Sequence, residues 1–566
     1  MIKFVIRLII FNEGQDDLPW IVPDGWSFPV TRDLHSNVVF LPGILGSRLY
    51  EDKVLNDNRV WEPNFHTDPS ELYLDSFGQS INSSIYAKEG SVIDEILLPF
   101  VGGNIYKSFL KDLKNWKEEE LFNDYIVIPY DWRLDFDDLL SRGELDGDKI
   151  RYLHASSEPY ILEKIKGLAE TSATGKVTIV THSMGGMVAK RVVDKLAETG
   201  EEGIIDQLIF VAQPQLGTPK TLLEMLHGES VGWIPELFVL KQKDKRKLAE
   251  NMSTAYALLP GSGYFNKVLD PVIFFDTKNP ALEPFVKKYG ESINTLGELH
   301  SFLLGAEGRA KPSDNDVQTP NILNSHLLTQ SQDTKAELES WTAPEGIKVT
   351  QIAGWGLDTG YALDYTAENI CVLDARSNCV PKTKWQHKLK LTVDGDETVV
   401  YPSATALLGE DKFYVNIFKY NEPLPHFFTN REHGSILEVD PVRELVKQLV
   451  QSNIDLGNLP SHITVERPEV KEGDTRLRVR AMSPVAVHIY DNFDNHVGMS
   501  SSVSNVTEPV VPRSTGIFLK LFVPATSPPI TSSISNVTEP VSSPTNSIVY
   551  VSFEPTPRYL CPLISQ

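Results

Sequence analysis

Cysteine is scarce in this sequence of 566 residues, which contains only Cys371, Cys379 and Cys561. Three cysteines are too few for a disulfide scaffold, and an odd number leaves one thiol unpaired within the chain. Cys371 and Cys379 are close enough in sequence to close a small loop. No cluster of cysteine and histidine residues has the spacing of metal ligands, so we expect no structural zinc.

Positive charge is also in deficit, because 53 lysines and arginines face 76 aspartates and glutamates, a formal net charge of −23. This balance argues against nucleic-acid binding, which requires basic side chains to displace the counterions of the phosphate backbone. It argues equally against electrostatic docking on anionic lipid. Any membrane contact is therefore expected to be peripheral and to use apolar loops.

Long apolar runs are missing as well, since none reaches the roughly 18 residues of a membrane span. Residues 1–11 (MIKFVIRLIIF) are interrupted by Lys3 and Arg7, and no small-residue cleavage site follows them. We therefore predict a short first β-strand there and no secretory signal. The compartment stays unassigned, with a cytoplasmic or peripheral location as the default expectation.

What the sequence does contain is the pattern of an α/β protein, with 41% hydrophobic and 23% charged residues. Short apolar runs rich in β-branched residues predict strands at residues 38–41, 125–129, 177–180, 208–212 and 349–353. Amphipathic stretches such as 163–170 and 187–197 lie between them and have helical spacing. This alternation predicts an open, mostly parallel sheet covered on both faces by helices.

Two regions break the alternation. Residues 221–342 carry helical patterns and polar loops without a clear βα unit, which predicts an inserted cap at the functional edge of the sheet. After residue 461 the composition shifts to Val, Thr, Ser and Pro, with short strands predicted at 462–465, 477–479 and 485–490. We interpret this last region as a small β-rich appendage.

A candidate nucleophile lies where the strand at 177–180 meets the helix at 187–197. Residues 181–185 read THSMG and place Ser183 at the tip of a strand–turn–helix junction. Such a junction is the setting of the nucleophile elbow in serine hydrolases, where small residues allow strand and helix to pack closely. Gly185 and Gly186 supply small residues, while Thr181 replaces the usual first glycine.

A matching oxyanion site is predicted after the first strong strand, where residues 41–47 read LPGILGS. A glycine-bearing loop at this point can present a backbone N–H to the negative charge that develops on the reacting carbonyl oxygen. We select Leu45 as this donor, with Ile44 as the alternative. The N–H of Met184, next to Ser183, is the natural second donor.

The acid of such a triad should follow the serine in sequence, and the base should follow the acid. An alternating stretch at residues 389–393 predicts a late strand of the sheet, and DGDE follows it. A carboxylate there would lie at the carboxyl end of a parallel strand, where active sites gather. From the residues alone, Asp394 and Asp396 both qualify.

His433 is the candidate base, since it lies just before a predicted helix at 441–450 and could reach the sheet edge. His426 is its rival, but its neighbours Pro425 and Phe427 indicate a buried structural histidine. His182 adjoins Ser183 in sequence, and we expect its side chain to point away from the turn.

With these residues assembled, the sequence resembles the lecithin:cholesterol acyltransferase family. The segments that carry the likeness are residues 38–49 (VVFLPGILGSRL), 129–133 (PYDWR), 181–188 (THSMGGMV), 212–220 (AQPQLGTPK), 251–260 (NMSTAYALLP) and 394–399 (DGDETV). The likeness spans roughly residues 36–450. PGILGSRL together with PYDWR is far more specific than a serine motif alone.

The resemblance implies an α/β-hydrolase core with a membrane-facing cap, and it favours Asp396 over Asp394 because the family's acid precedes the x-T-V turn. It also implies that Trp61 lies in a lipid-contacting loop. A disulfide pins that loop in the plasma enzyme of the family, but no cysteine precedes Cys371 here. This lid must therefore be held in another way.

Together these features divide the chain into five parts. They are an N-terminal extension (1–35), a first part of the α/β-hydrolase core (36–220), a cap or lid insertion (221–345), a second part of the core with Asp396 and His433 (346–458), and a β-rich, Ser/Thr/Pro-rich C-terminal region (459–566).

The resemblance implies a serine-dependent lipid O-acyltransferase, or a lipase or phospholipase, that acts on fatty-acyl esters through an acyl-Ser183 intermediate and needs no cofactor or metal. An esterase for small soluble esters is the alternative. A catalytically inactive binding protein on a hydrolase fold is a further alternative, and it would require at least one broken triad position.

Overall fold

The computed structural model describes residues 34–467, except 54–57, 63–67, 99–100, 230–239, 269, 374–378 and 423–429, and five short strands between residues 478 and 553. Two compact units are distinguished, Met1–Arg467 and Pro468–Gln566. The strand predicted at residues 1–11 lies outside the described residues.

A seven-stranded sheet forms the centre of the first unit. Its strands are β1 (Asn37–Leu41), β2 (Tyr125–Val127), β3 (Val177–His182), β4 (Ile205–Val211), β5 (Lys348–Trp355), β6 (Asp411–Asn416) and β7 (Ile463–Thr464). The spatial order is β7-β6-β5-β4-β3-β1-β2, and every neighbouring pair is parallel except β6 and β7. The five predicted strands are β1 to β5, and the prediction of a mostly parallel sheet is confirmed.

The middle strands are covered on both faces, since every residue of β1 and β3 is buried. Double-sided burial explains why these strands are continuous apolar runs without alternation. Eight helices accompany the sheet: Lys107–Glu118, Phe136–Ser141, Tyr160–Glu170, Gly185–Ala197, Pro219–His227, Tyr401–Ala404, Ile417–Asn421 and Asp440–Val450. The helix at Gly185–Ala197 packs against β1, β3 and β4 directly after the serine turn.

The segment between β4 and β5 is mainly helical. Beyond Pro219–His227 it contains Gln242–Glu250, Ser253–Ala257, Ser262–Val268, Glu283–Tyr289, Leu296–Leu303 and Ser325–Ser340. Polar side chains cap the N-termini of two of these helices. Thr295 and Glu298 form a reciprocal capping box, and the Asn324 side chain accepts from the N–H groups of His326 and Leu327. Short 3₁₀ helices occur at Pro69–Leu72, Glu202–Ile204, Pro280–Leu282 and His433–Glu438, the last with a kink at Ser435.

Three smaller antiparallel or mixed sheets belong to the same unit. One has the order Asn58–Trp61, Ser47–Glu51, Ile85–Val92, Lys149–Arg151 and Glu144–Asp146, and another pairs Glu95–Leu98 with Val101–Asn104. The third has the order Ser292–Ile293, Ile273–Phe275, Thr359–Leu373 and Cys379–Thr392. In its long hairpin Cys379 is paired with Leu373 and Cys371 with Pro381, so the two cysteines are not opposite each other.

This hairpin corrects one prediction. The strand predicted at residues 389–393 is the end of Cys379–Thr392, which belongs to the hairpin and not to the central sheet. Its alternating KLKLT pattern is that of an antiparallel strand with one covered face, whereas buried parallel strands are apolar throughout.

The strand predicted at residues 462–465 is also placed differently. It is present as Ile463–Thr464, but it forms edge strand β7 of the central sheet and is not part of a C-terminal appendage. Within Pro468–Gln566, Arg478–Ala481 pairs with Tyr550–Phe553, and Ala486–Tyr490 pairs with His496–Gly498 and Phe518–Phe522. None of the described helices is both long and apolar enough to cross a membrane.

Candidate active site

Ser183 lies on a strained turn directly after β3. Its φ angle is +50°, a left-handed conformation that is uncommon for a residue with a side chain. Two hydrogen bonds hold the turn, from Ser183 N–H to the Val211 carbonyl at 2.9 Å and from Gly186 N–H to the Ser183 carbonyl at 3.1 Å. The turn therefore has the geometry of a nucleophile elbow.

Both glycines after Ser183 lie in close packing, as predicted, and Gly185 is confined by backbone atoms. A Cβ on Gly185 would lie 2.6 Å from the Pro42 carbonyl oxygen and closer still to that of Leu41, both of which are backbone atoms. A Cβ on Gly186 would overlap the amide of Gln213. Thr181, which replaces the usual first glycine, is buried in β3 without displacing the turn.

The structure brings His433 and Asp396 to Ser183. His433 Nε2 lies 2.9 Å from Ser183 Oγ, and His433 Nδ1 lies 2.8 Å from Asp396 Oδ2. A carboxylate only accepts hydrogen bonds, so Nδ1 carries a proton, and in the neutral ring Nε2 accepts the proton of the Ser183 hydroxyl. All three residues are buried, with at most 8% of their surface exposed. This is the arrangement needed for general-base activation of a serine.

Asp396 is held as an oriented carboxylate. Its Oδ1 accepts hydrogen bonds from the backbone N–H groups of Thr398 at 3.1 Å and Val399 at 2.7 Å, while Oδ2 faces His433. Its backbone bridges in parallel to Leu357, two residues after β5, whereas the strand directly before Asp396, Cys379–Thr392, belongs to the hairpin. The acid therefore reaches the carboxyl edge of the central sheet by a different route from the predicted one.

Asp394, the rival of the predicted acid, has no hydrogen bond to the triad in the part of the chain that the structure describes. Asp394 Oδ1 accepts from the indole N–H of Trp355 at 3.0 Å, so its carboxylate is directed at β5. His426 lies outside the described residues.

The loop predicted to supply the oxyanion donors is a tight turn beside Ser183. Gly46 N–H donates to the Gly43 carbonyl at 3.0 Å, and Leu45 has a φ angle of +62°. In the part of the chain that the structure describes, the N–H groups of Ile44, Leu45 and Met184 donate to no protein acceptor. These groups are therefore available to an oxyanion, and the roles of Leu45 and Met184 remain predictions.

The Trp61 side chain holds this turn, and the implied lipid contact of the loop that carries it stays a prediction. The indole is 2% exposed, donates to the Leu45 carbonyl at 2.8 Å and packs edge-on against Trp132 at 5.2 Å between ring centroids. A buried indole N–H needs an acceptor, and here the acceptor is the backbone of the predicted oxyanion turn, residues 42–46.

Sequence reasoning missed His182. Its side chain was expected to point away from the elbow, yet its ring lies 5.0 Å from that of His433, and Nε2 is 2.9 Å from the His433 carbonyl oxygen. Neither contact has a local signal in the sequence, because the partners are 251 residues apart.

Comparison with known proteins places the chain in a family. The model of the lecithin:cholesterol acyltransferase family matches residues 93–410, more than half of the chain. The chain belongs to the lecithin:cholesterol acyltransferase family. Ser183 and Asp396 lie within the matched residues, whereas Leu45 and His433 lie outside them.

Similar curated proteins come from Arabidopsis thaliana. Lecithin-cholesterol acyltransferase-like 4 is 24% identical over 384 residues, which are 65% of this chain and 69% of that protein. Phospholipase A(1) LCAT3 is 24% identical over 259 residues, 43% of this chain and about half (53%) of that protein. Among solved structures, a chain of the crystal structure of the Tle4-Tli4 complex is similar at 14% identity and a TM-score of 0.40, covering 74% of this chain and 98% of that one.

The family segment PYDWR braces the predicted oxyanion turn. The Tyr130 hydroxyl donates to the Pro42 carbonyl at 2.5 Å, and the Trp132 indole donates to the Ser47 carbonyl at 3.1 Å. Arg133 forms a fully buried, two-pronged ion pair with Asp131, at 2.9 and 2.7 Å. The pair fixes the segment that supports the turn.

The segment AQPQLGTPK braces the acid in the same way. The Thr218 hydroxyl donates to the Thr398 carbonyl at 2.5 Å, and Lys220 Nζ donates to the Thr398 hydroxyl at 3.0 Å. Thr398 is the residue whose N–H binds Asp396. The segments that carry the family likeness thus converge on the turns around Ser183 and Asp396.

The described residues contain no group of three or more His, Cys, Asp or Glu side chains that could hold a metal ion.

Proposed function

We propose that this protein catalyses serine-dependent acyl transfer from fatty-acyl lipid esters, with Ser183 as nucleophile, His433 as base and Asp396 as acid. The continuous hydrogen-bond chain from Ser183 Oγ through the His433 ring to Asp396 carries the proposal. Membership of a family of lipid acyltransferases and phospholipases supports a lipid ester as the substrate class.

In the first half of the proposed cycle, His433 Nε2 takes the hydroxyl proton while Ser183 Oγ attacks the ester carbonyl carbon. The N–H groups of Leu45 and Met184 donate to the oxygen that becomes negative, and Asp396 stabilises the imidazolium. Collapse of the tetrahedral intermediate breaks the ester bond, and His433 returns the proton to the leaving alcohol. Acyl-Ser183 remains.

In the second half, His433 takes a proton from an acceptor, which attacks the carbonyl carbon of acyl-Ser183. The bond from that carbon to Ser183 Oγ then breaks, and His433 returns the proton to Oγ. Water as acceptor gives a lipase or phospholipase, and a lipid alcohol gives an O-acyltransferase. The same residues serve both reactions, and the exclusion of water from the site decides between them. The names of the two relatives also divide between acyltransferase and phospholipase.

A lipid ester is presented as an aggregate, so the enzyme must meet an interface. The net charge of −23 disfavours attraction to anionic head groups. We therefore propose peripheral contact through apolar loops of the 221–345 segment, so that binding to vesicles does not increase with their content of anionic lipid.

The test of the proposal is a comparison of wild type with Ser183→Ala on mixed micelles of a fluorescent-acyl phospholipid and a long-chain alcohol. We expect both free fatty acid and new ester to disappear in the variant, and their ratio in wild type identifies the acceptor. Full activity in Ser183→Ala would refute the triad. Turnover of short aryl esters without turnover of phospholipid would favour a small-ester esterase.

A further inference from the structure

Beneath the triad, Tyr106 and His182 form a line of hydrogen bonds that the proposed cycle does not use. Gly43 N–H donates to Tyr106 Oη at 3.1 Å, Tyr106 Oη lies 2.8 Å from His182 Nδ1, and His182 Nε2 lies 2.9 Å from the His433 carbonyl oxygen. One end is the oxyanion turn, and the other is the backbone of the proposed base.

The direction of every proton in this line is fixed by its two ends. A carbonyl oxygen only accepts, so His182 Nε2 carries the proton that it donates to His433. Nδ1 of the neutral ring is then an acceptor, and it receives the Tyr106 hydroxyl proton. Tyr106 Oη in turn accepts from Gly43 N–H, which can only donate.

The surroundings favour this neutral arrangement. His182 and Tyr106 are buried, and Tyr106 packs edge-on against Phe40 with 5.0 Å between ring centroids. Burial, followed by the nearby His433, lowers the pKa of His182 well below its usual value, and burial also raises the pKa of Tyr106. A neutral His182 keeps the single tautomer that the line requires.

Both backbone polar groups of His433 are thereby anchored. Its N–H donates to the Asp396 carbonyl at 2.9 Å, and its C=O accepts from His182. At the other end, Gly43 is pressed against the elbow, since a Cβ there would lie 3.0 Å from Ser183 Cβ and 3.1 Å from His182 Nδ1.

We propose that His182 and Tyr106 are positioning residues that fix the location of His433 relative to the oxyanion turn. This inference rests on the proposed acyl-transfer function. Neither side chain touches substrate in this account. Their effect is on the geometry in which proton transfer and oxyanion binding occur together, so they act on kcat and leave KM unchanged.

Three variants of the full chain test the individual hydrogen bonds of this line. Tyr106→Phe removes one hydroxyl and keeps the ring. His182→Gln places an amide nitrogen near the position of Nε2 and keeps the donor to His433, whereas His182→Asn places it near Nδ1 and loses that donor. Tyr264→Phe is the matched control, because Tyr264 is also fully buried and its hydroxyl donates one hydrogen bond, to the Tyr361 carbonyl at 3.0 Å.

The measurements are kcat and KM on a soluble aryl ester, the rate of Ser183 labelling by a long-chain fluorophosphonate, and the urea midpoint of unfolding. We expect kcat and the labelling rate to fall about 10- to 100-fold in Tyr106→Phe and His182→Asn, with KM unchanged, because small displacements of catalytic groups have effects of that size. His182→Gln should recover part of the loss. The double variant Tyr106→Phe/His182→Asn should lose less than the product of the single losses, because the residues act as one unit.

Rates in the folded variants that match Tyr264→Phe, or a loss confined to KM, would overturn the inference while leaving the proposed function intact. If Tyr106→Phe does not fold, the two His182 variants decide the question, because the inference requires a higher kcat and labelling rate in His182→Gln than in His182→Asn. Wild type that neither turns over esters nor reacts with the fluorophosphonate would overturn the proposed function, and the inference with it.

Discussion

His433 and Asp396 are joined twice, once through their side chains and once through their backbones. Nδ1 of His433 lies 2.8 Å from Asp396 Oδ2, and the N–H of His433 donates to the Asp396 carbonyl oxygen at 2.9 Å. The second bond fixes the approach of the loop, so the first can orient the ring. Orientation of the imidazole is the main task of the acid in a serine triad.

Asp396→Asn tests this role. The amide cannot hold the ring with Nδ1–H towards it, so we expect kcat to fall by about 10⁴-fold with the fold retained. Asp394→Asn is the control, because it changes the neighbouring carboxylate, which binds Trp355 and not His433. Comparable losses in the two variants would show that the acid has been assigned to the wrong residue.

Gly185→Ala tests the packing at the elbow. Its Cβ would meet the carbonyl oxygens of Leu41 and Pro42, which cannot move without distorting β1. We expect a loss of about 1–3 kcal/mol in the free energy of unfolding, typical of overpacking, measured by urea denaturation. Gly167→Ala is the matched control in the helix Tyr160–Glu170. No atom lies within 4 Å of its added methyl group, so stability should rise by about 0.5–1 kcal/mol. Equal changes in the unfolding free energy of Gly185→Ala and Gly167→Ala would contradict this explanation by packing.

Lys190 gives a prediction about pH. It is fully buried in the helix after Ser183, with Nζ donating to the Leu338 carbonyl at 2.8 Å, and burial lowers its pKa to about 7. Between that value and the ordinary value of 10.5, the unfolded chain binds a proton that the folded chain does not. Folding stability must therefore rise with pH across this window and fall as the pH decreases towards 7.

The measurement is the difference in unfolding free energy between wild type and Lys190→Met at pH 7 and pH 9. Other titrating groups cancel in the difference. Between pH 7 and pH 9, the unfolding free energy of wild type should rise by about 2 kcal/mol relative to that of Lys190→Met. A difference that is independent of pH would show that Lys190 keeps an ordinary pKa in the folded protein.

Local patterns were enough to predict β1 to β5 and the turn at Ser183. A buried parallel strand is a continuous apolar run, and the glycines after the serine reflect contacts within the strand–turn–helix unit itself. The glycine-bearing turn at residues 42–46 was predicted for the same reason. Each of these signals lies within about ten residues of sequence.

Long-range contacts were not predictable in this way. Tyr106 and His182 are separated by 76 residues, and the carbonyl that His182 binds is 251 residues further on, so no local pattern could indicate their contacts. Trp61 was predicted to lie in a lipid-contacting loop, and no local pattern indicated that its indole would donate to the Leu45 carbonyl. The strand before Asp396 had the correct type but was assigned to the wrong sheet.

The most direct test of the central claim is mass spectrometry of acid-quenched enzyme after brief reaction with a slowly released acyl ester. We predict a mass increase equal to one acyl group on the peptide that contains Ser183, at the rate of the first phase of product release. An unmodified Ser183 during turnover, or an acyl group on a different residue, would contradict the account.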